Sequence, residues 1–154
     1  MNTYEDTLKD LIGGMTVNPA APAETVERQA VYLDRSETTD TRWKALVSER
    51  LKTAKTFEIH CWNEESEWIQ VALQYGELRQ TNWVHGKVIA GSVTPEFTKM
   101  LLGLPKPTDT EIYNKMTPFF NVFLDDSFQS CHYGTEIHVE ENATLSCVKV
   151  KVNW

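Results

Sequence analysis

Much of what gives a sequence away is missing from this one. No run of about 18 apolar residues occurs, so no membrane-spanning helix is expected, and the opening stretch, Met1 to Leu11, is polar and acidic rather than signal-like. Lysine and arginine form no tract, which argues against nucleic acid and anionic membrane surfaces as partners. Cysteine is scarce: three residues, an odd number, do not make a disulfide framework, so free thiols are expected. The sequence contains no Gly-x-Ser-x-Gly, His-Glu-x-x-His, Cys-x-x-Cys or Walker pattern, no internal repeat and no low-complexity tract. These absences predict a soluble cytoplasmic chain with no cofactor, no metal and no catalytic residue that can be named.

What is present is enough for one core. With 154 residues, 41% of them hydrophobic, the chain is expected to be a single globular domain over 1–154, with residues 1–25 a short helix and connector. The helix would be capped by Thr3, carry Tyr4, Leu8, Leu11 and Ile12 on one stripe and end at Gly13-Gly14. Twenty-two acidic against fifteen basic residues give a net charge of −7. A basic protein partner is favoured by that field.

Along the chain the periodicity changes. Residues 26–35 fit a helical stripe (Val26, Ala30, Leu33) or a strand, and helix is the expectation. Trp43, Leu46, Val47, Leu51 and Ala54 recur at helical spacing and predict the main helix. Phe57, Ile59 and Cys61 alternate with Glu58, His60 and Trp62, which is a half-buried strand. Residues 67–75 satisfy both periods, because Trp68, Val71, Ala72 and Tyr75 suit a helix while Ile69, Val71, Leu73 and Tyr75 suit a strand. A tight turn at residues 64–66 would pair Cys61 with Ile69, Ile59 with Val71 and Trp62 with Trp68, so a hairpin is predicted. Trp83 to Ser92 reads as a further strand. Thr94-Pro95-Glu96 starts a helix that Gly103 stops. Residues 119–124 read as a strand and Asp125-Asp126-Ser127 as a turn. From Cys131 to Glu140 the residues alternate again, and Val148, Val150, Val152 and Trp154 resume the alternation after a turn near Asn142. That predicts a terminal hairpin with Ile137 opposite Val148 and Glu136 opposite Lys149. The fold class expected is α+β: an antiparallel sheet of about five to six strands, with two hairpins at 55–75 and 128–153 and helices mainly on one face.

Two groups of residues suggest a site. The first is aromatic. The predicted pairing sets Trp62 against Trp68 beside His60, with Trp83 nearby, on the face away from Phe57 and Ile59. An uncovered pair of indoles marks a binding surface, so His60, Trp62 and Trp68 are the candidate binding residues. The competing expectation is that the helix around Trp43 covers that face and the indoles are core. The second group is His132, Glu136, His138 and Cys147 on the outer face of the terminal hairpin. Their side chains are the ligand types of a metal site and give the alternative of a metal-dependent hydrolase, against which stands an ordinary solvated strand face. A third alternative is a structural subunit that adds its sheet edge to a neighbour. Cys61 is expected in the core rather than as a nucleophile. A small acidic binding or interaction protein is the reading the sequence favours, and the composition leaves its oligomeric state open.

Overall fold

The alternation of Phe57, Ile59 and Cys61 with Glu58, His60 and Trp62 is the spine of the fold. In a computed structural model that describes residues 27–141, these residues form strand β2 (Thr56–Trp62), with the first set buried and the second turned the other way. Around it, in chain order, are β1 (Glu27–Tyr32), α1 (Thr41–Leu51), then after β2 the helix α2 (Ser66–Leu73), β3 (Glu77–Arg79), β4 (Gly86–Ser92), α3 (Pro95–Gly103), β5 (Asn121–Leu124), β6 (Phe128–Cys131) and β7 (Glu136–Glu141). The strands make one antiparallel sheet in the order β1-β7-β6-β5-β2-β4-β3. The class is α+β as expected, with seven strands among the described residues rather than five or six.

Each helix has a local cause. Asp40 offers its carbonyl to the Lys44 N–H at 2.9 Å to open α1, which buries Trp43, Leu46, Val47 and Leu51. Thr94 Oγ1 accepts the Phe97 N–H at 3.0 Å ahead of Pro95, so α3 begins where the cap and proline signals place it. The Glu65 carbonyl accepts from both Trp68 and Ile69 at 3.0 Å to open α2. All three helices deliver side chains to one cluster: Trp43, Val47, Ile69, Ala72, Phe97 and Leu101 meet Phe57, Ile59, Ile89, Val122, Leu124 and Ile137 from the sheet. Burial of each large side chain contributes about 1.5–3 kcal/mol. The Trp43 indole N–H donates to Ser130 Oγ at 3.0 Å, so burying it leaves no polar atom unmatched.

The structure corrects three of the sequence expectations. Residues 27–32 are strand, not helix: Val31 pairs with Ile137 of β7 and is buried, and a pairing partner so distant in sequence has no local signal. Residues 67–75 do not return along β2. Both flanks of β2 are taken by distant strands, Ile59 lying opposite Ile89 on one side and Val122 on the other. The segment therefore coils as α2 and buries Ile69 and Ala72 against the sheet. The hairpin at 55–75 does not exist, and Trp62 is not opposite Trp68. The alternation from Cys131 is also not one strand. It breaks at a turn in which His132, Tyr133 and Gly134 have φ of 54°, 61° and 87°, so β6 and β7 form the hairpin themselves. Both flanks of β7 are then filled, with Glu136 opposite Tyr32 and Cys131. Ile137 and Glu136, expected opposite Val148 and Lys149, instead have β1 and β6 partners on both flanks. Val148 to Trp154, Cys147, the Thr3 helix and its connector lie outside the described residues. Among the described residues no helix is long and apolar enough to cross a membrane.

Candidate functional site

Because the helices share one face, the other face of β2 carries no described helix. Glu58, His60 and Trp62 lie there, and register sets their neighbours: Phe123 beside Glu58 and Asn121 beside His60 on β5, with Val88 beside His60 on β4. Gln129 of β6 stands beside Phe123 in turn. The loop between β3 and β4 adds Trp83. It is tied down by Asn63, whose backbone N–H donates to the His85 carbonyl at 2.9 Å and whose side-chain amide donates to the Val84 carbonyl at 2.9 Å. A β-carbon on Gly86 would fall 2.3 Å from the Trp83 ring, so glycine is what allows the indole to lie over the start of β4.

The result is a concavity of about 570 Å³ walled by His60, Trp62, Trp83, Phe120 and Phe123, within the range of ordinary ligand sites. Trp62 and Trp83 meet with ring centroids 5.1 Å apart at 68°, Trp62 and Phe120 at 4.9 Å and 57°, and His60 and Phe123 at 4.8 Å and 65°. These are the steep, offset approaches that ring quadrupoles favour. All five rings remain partly exposed.

A single hydrogen-bonded chain crosses the floor. The His132 backbone N–H donates to Asn121 Oδ1 at 3.2 Å, which orients the amide so that Asn121 Nδ2 donates to His60 Nδ1 at 3.1 Å. The other ring nitrogen of His60, Nε2, then carries the hydrogen and donates to Glu58 Oε2 at 2.6 Å. That bond, the largest cause, holds the Glu58 carboxyl below its ordinary pKa against the opposing pull of burial, with electrostatic contributions from His60 and then Arg79. Both nitrogens of His60 are thus committed, and the imidazole has no lone pair left with which to take a proton from a substrate. No protein family, curated protein or solved structure matches this chain.

The sequence-predicted site residues separate. His60 and Trp62 stand together in the concavity, and Trp83 takes the place expected of Trp68. Trp68 lies on α2 against the core, edge-on to Phe119 at 6.0 Å, and lines a different groove of about 610 Å³ with Glu64, Glu67, Pro105, Lys106 and Pro118. That groove is the larger of the two, but it has one aromatic wall and two lysines already engaged, Lys106 with Asn114 and Lys115 with Asp109. Glu58, Asn121, Phe120, Phe123 and Gln129 were not anticipated. The alternation of Asn121 and Phe123 against Val122 and Leu124 was a signal for two of them.

The second predicted group does converge in part. Glu136 reaches His138 through one carboxylate oxygen and His132 Nδ1 through the other at 3.3 Å, so the carboxylate is occupied by imidazoles. Among the described residues no group of three or more His, Cys, Asp or Glu is arranged to hold a metal. Cys61 is in the core as expected, wholly buried and free, and burial with the nearby Glu65 charge pushes its thiol up to about 12. Asp125 stands in the expected turn, but its Oδ1 accepts the backbone N–H groups of the distant Lys55 and Thr56, at 3.0 Å each, rather than of the turn itself.

Proposed function

We propose that this protein is a binding protein whose working surface is the aromatic concavity on the open face of the sheet, and that its partner is a protein with a basic surface. The observation that carries this reading is the juxtaposition of Trp62 and Trp83, with Phe120 and Phe123, on a sheet face without a described helix. Partly exposed aromatic walls around a few fixed polar groups are the usual form of a recognition site. The charge of −7 would steer a basic partner toward the molecule.

A screen of small cationic, neutral and anionic compounds by protein NMR tests this. The expected result is a set of binders whose shifts concentrate on Trp62, Trp83, Asn121 and Phe123. Shifts gathered around Trp68 and Pro105, or no binders at all, would overturn the reading.

A further inference from the structure

We infer that the concavity recognises a cationic side chain of its protein partner, an arginine or lysine, seated among its aromatic walls with its charge on Glu58. The inference rests on the reading of this concavity as the binding site.

Three observations converge on it. The lining contains neither lysine nor arginine, and Glu58 is its one side chain of fixed charge. That carboxyl accepts a hydrogen bond from His60 Nε2 at 2.6 Å, the largest of the causes that hold it below its ordinary pKa. Only Oε2 is used in that bond; Oε1 has no hydrogen bond among the described residues, which leaves an acceptor for a guanidinium or ammonium N–H.

The walls suit the same ligand. A cation gains from the negative faces of tryptophan and phenylalanine rings, more so when partly desolvated, and here two indoles and two phenyl rings border the same space. An anion in the concavity would meet the Glu58 charge, since Arg79 lines only the neighbouring hollow. A protein source for the cation, rather than a free small molecule, is favoured by the shape of the surface: a second hollow of about 280 Å³ shares Glu58 and Phe123 with the first and continues along the sheet past Arg79 and Asp126. A peptide laid across both would place neighbouring residues in the second hollow. The net charge of the whole chain supports a basic partner at longer range.

The test compares acetyl-Gly-Arg-Gly-amide with the same peptide carrying citrulline, the neutral isostere of arginine, by NMR titration of the indole signals. The arginine peptide is expected to shift Trp62 and Trp83 and to bind about tenfold more tightly than the citrulline peptide, the factor expected of a partly desolvated cation–aromatic contact. Glu58→Gln keeps an acceptor for His60 and is expected to lose most of that preference, with unchanged melting temperature as the check on folding. Trp83→Ala is expected to remove binding of both. Equal binding of the two peptides would overturn the cationic assignment and leave the aromatic site standing. Silence of both indoles at saturating peptide would overturn the assignment together with the reading beneath it. Free arginine amide binding as tightly as the peptide would overturn a protein as the source of the cation.

Discussion

Trp62 meets Trp83 across the first turn of the β2–β4 ladder, their ring centroids 5.1 Å apart at 68°, and this contact depends on a residue with no side chain. Gly86 lies opposite Trp62 in the ladder. A β-carbon there would fall 2.3 Å from the Trp83 ring and 2.5 Å from the Cys61 carbonyl oxygen. Gly86→Ala is therefore expected to cost about 1–3 kcal/mol and to shift tryptophan emission. Adding Trp83→Ala should not restore the loss, because the Cys61 carbonyl is backbone and stays where it is. Full recovery in a denaturant melt of the double variant would contradict the placement of both residues.

Acid stability should depend on Asp125. Burial raises its pKa, but the N–H groups of Thr56 and Lys55 and the Thr56 hydroxyl more than offset this, and the net value is below the ordinary one. A carboxyl whose pKa is lower folded than unfolded adds stability above its unfolded value near 4, and that stability is lost as pH falls through the folded value. Asp125→Ala should cost about 0.5–1.5 kcal/mol at neutral pH by removing those bonds, whose donors are exposed to water. It should also flatten the decline in melting temperature between about pH 5 and pH 3. An unchanged acid slope would count against the role given to Asp125.

Alkaline stability should depend on Cys61. Its thiol rises from 9.0 to about 12 through burial and then the Glu65 charge. The Tyr133 hydroxyl, buried and donating to Glu65 Oε2 at 2.6 Å, is raised as well. A group raised on folding contributes stability that is complete below its unfolded pKa and is lost as pH climbs toward the folded one. Stability should fall from about pH 9 upward, and Cys61→Ala should fall less steeply than wild type. At pH 8, iodoacetamide followed by mass spectrometry should leave Cys61 unmodified until denaturant is added; rapid labelling of the native protein would contradict its burial.

Zinc should do nothing at Glu136. Its carboxylate already joins His132 and His138, and a bound metal would have to displace both contacts. A metal at a hundred times its dissociation constant would stabilise the protein by about 2.7 kcal/mol. Melting curves with equimolar zinc and with a chelator are expected to superimpose. A zinc-dependent rise that Glu136→Gln abolishes would revive the hydrolase alternative.

The parts of the fold that were legible are those with local causes. Thr94 and Pro95 announce α3 because cap and proline act within one turn, and the stripe from Trp43 to Leu51 announces α1 because only one period fits it. Residues 67–75 are apolar at positions that serve either period. What decides between them is non-local: β4 and β5 occupy the two flanks of β2 that a hairpin would have needed. The strand alternation through His132 and Tyr133 concealed a left-handed turn, and Gly134 was the one residue that hinted at it. A β-carbon at Gly134 would lie 2.7 Å from the Trp43 indole nitrogen, a close approach that no pattern within the segment records. For the site, alternation placed His60 and Trp62 on the right face. Trp68 was assigned there by a pairing that does not exist, and Trp83 reaches the site from a loop, where periodicity says nothing.

The account stands on the openness of the sheet face that bears Trp62 and Trp83, and the five tryptophans permit a direct reading of it. With each indole N–H signal assigned by single Trp→Phe variants, a neutral soluble gadolinium chelate is added and the loss of signal intensity is followed. Trp43, 1% exposed, should keep its signal while Trp62 and Trp83 lose theirs. Trp62 and Trp83 protected to the same degree as Trp43 would mean that the face is covered, and would contradict the binding role assigned to it.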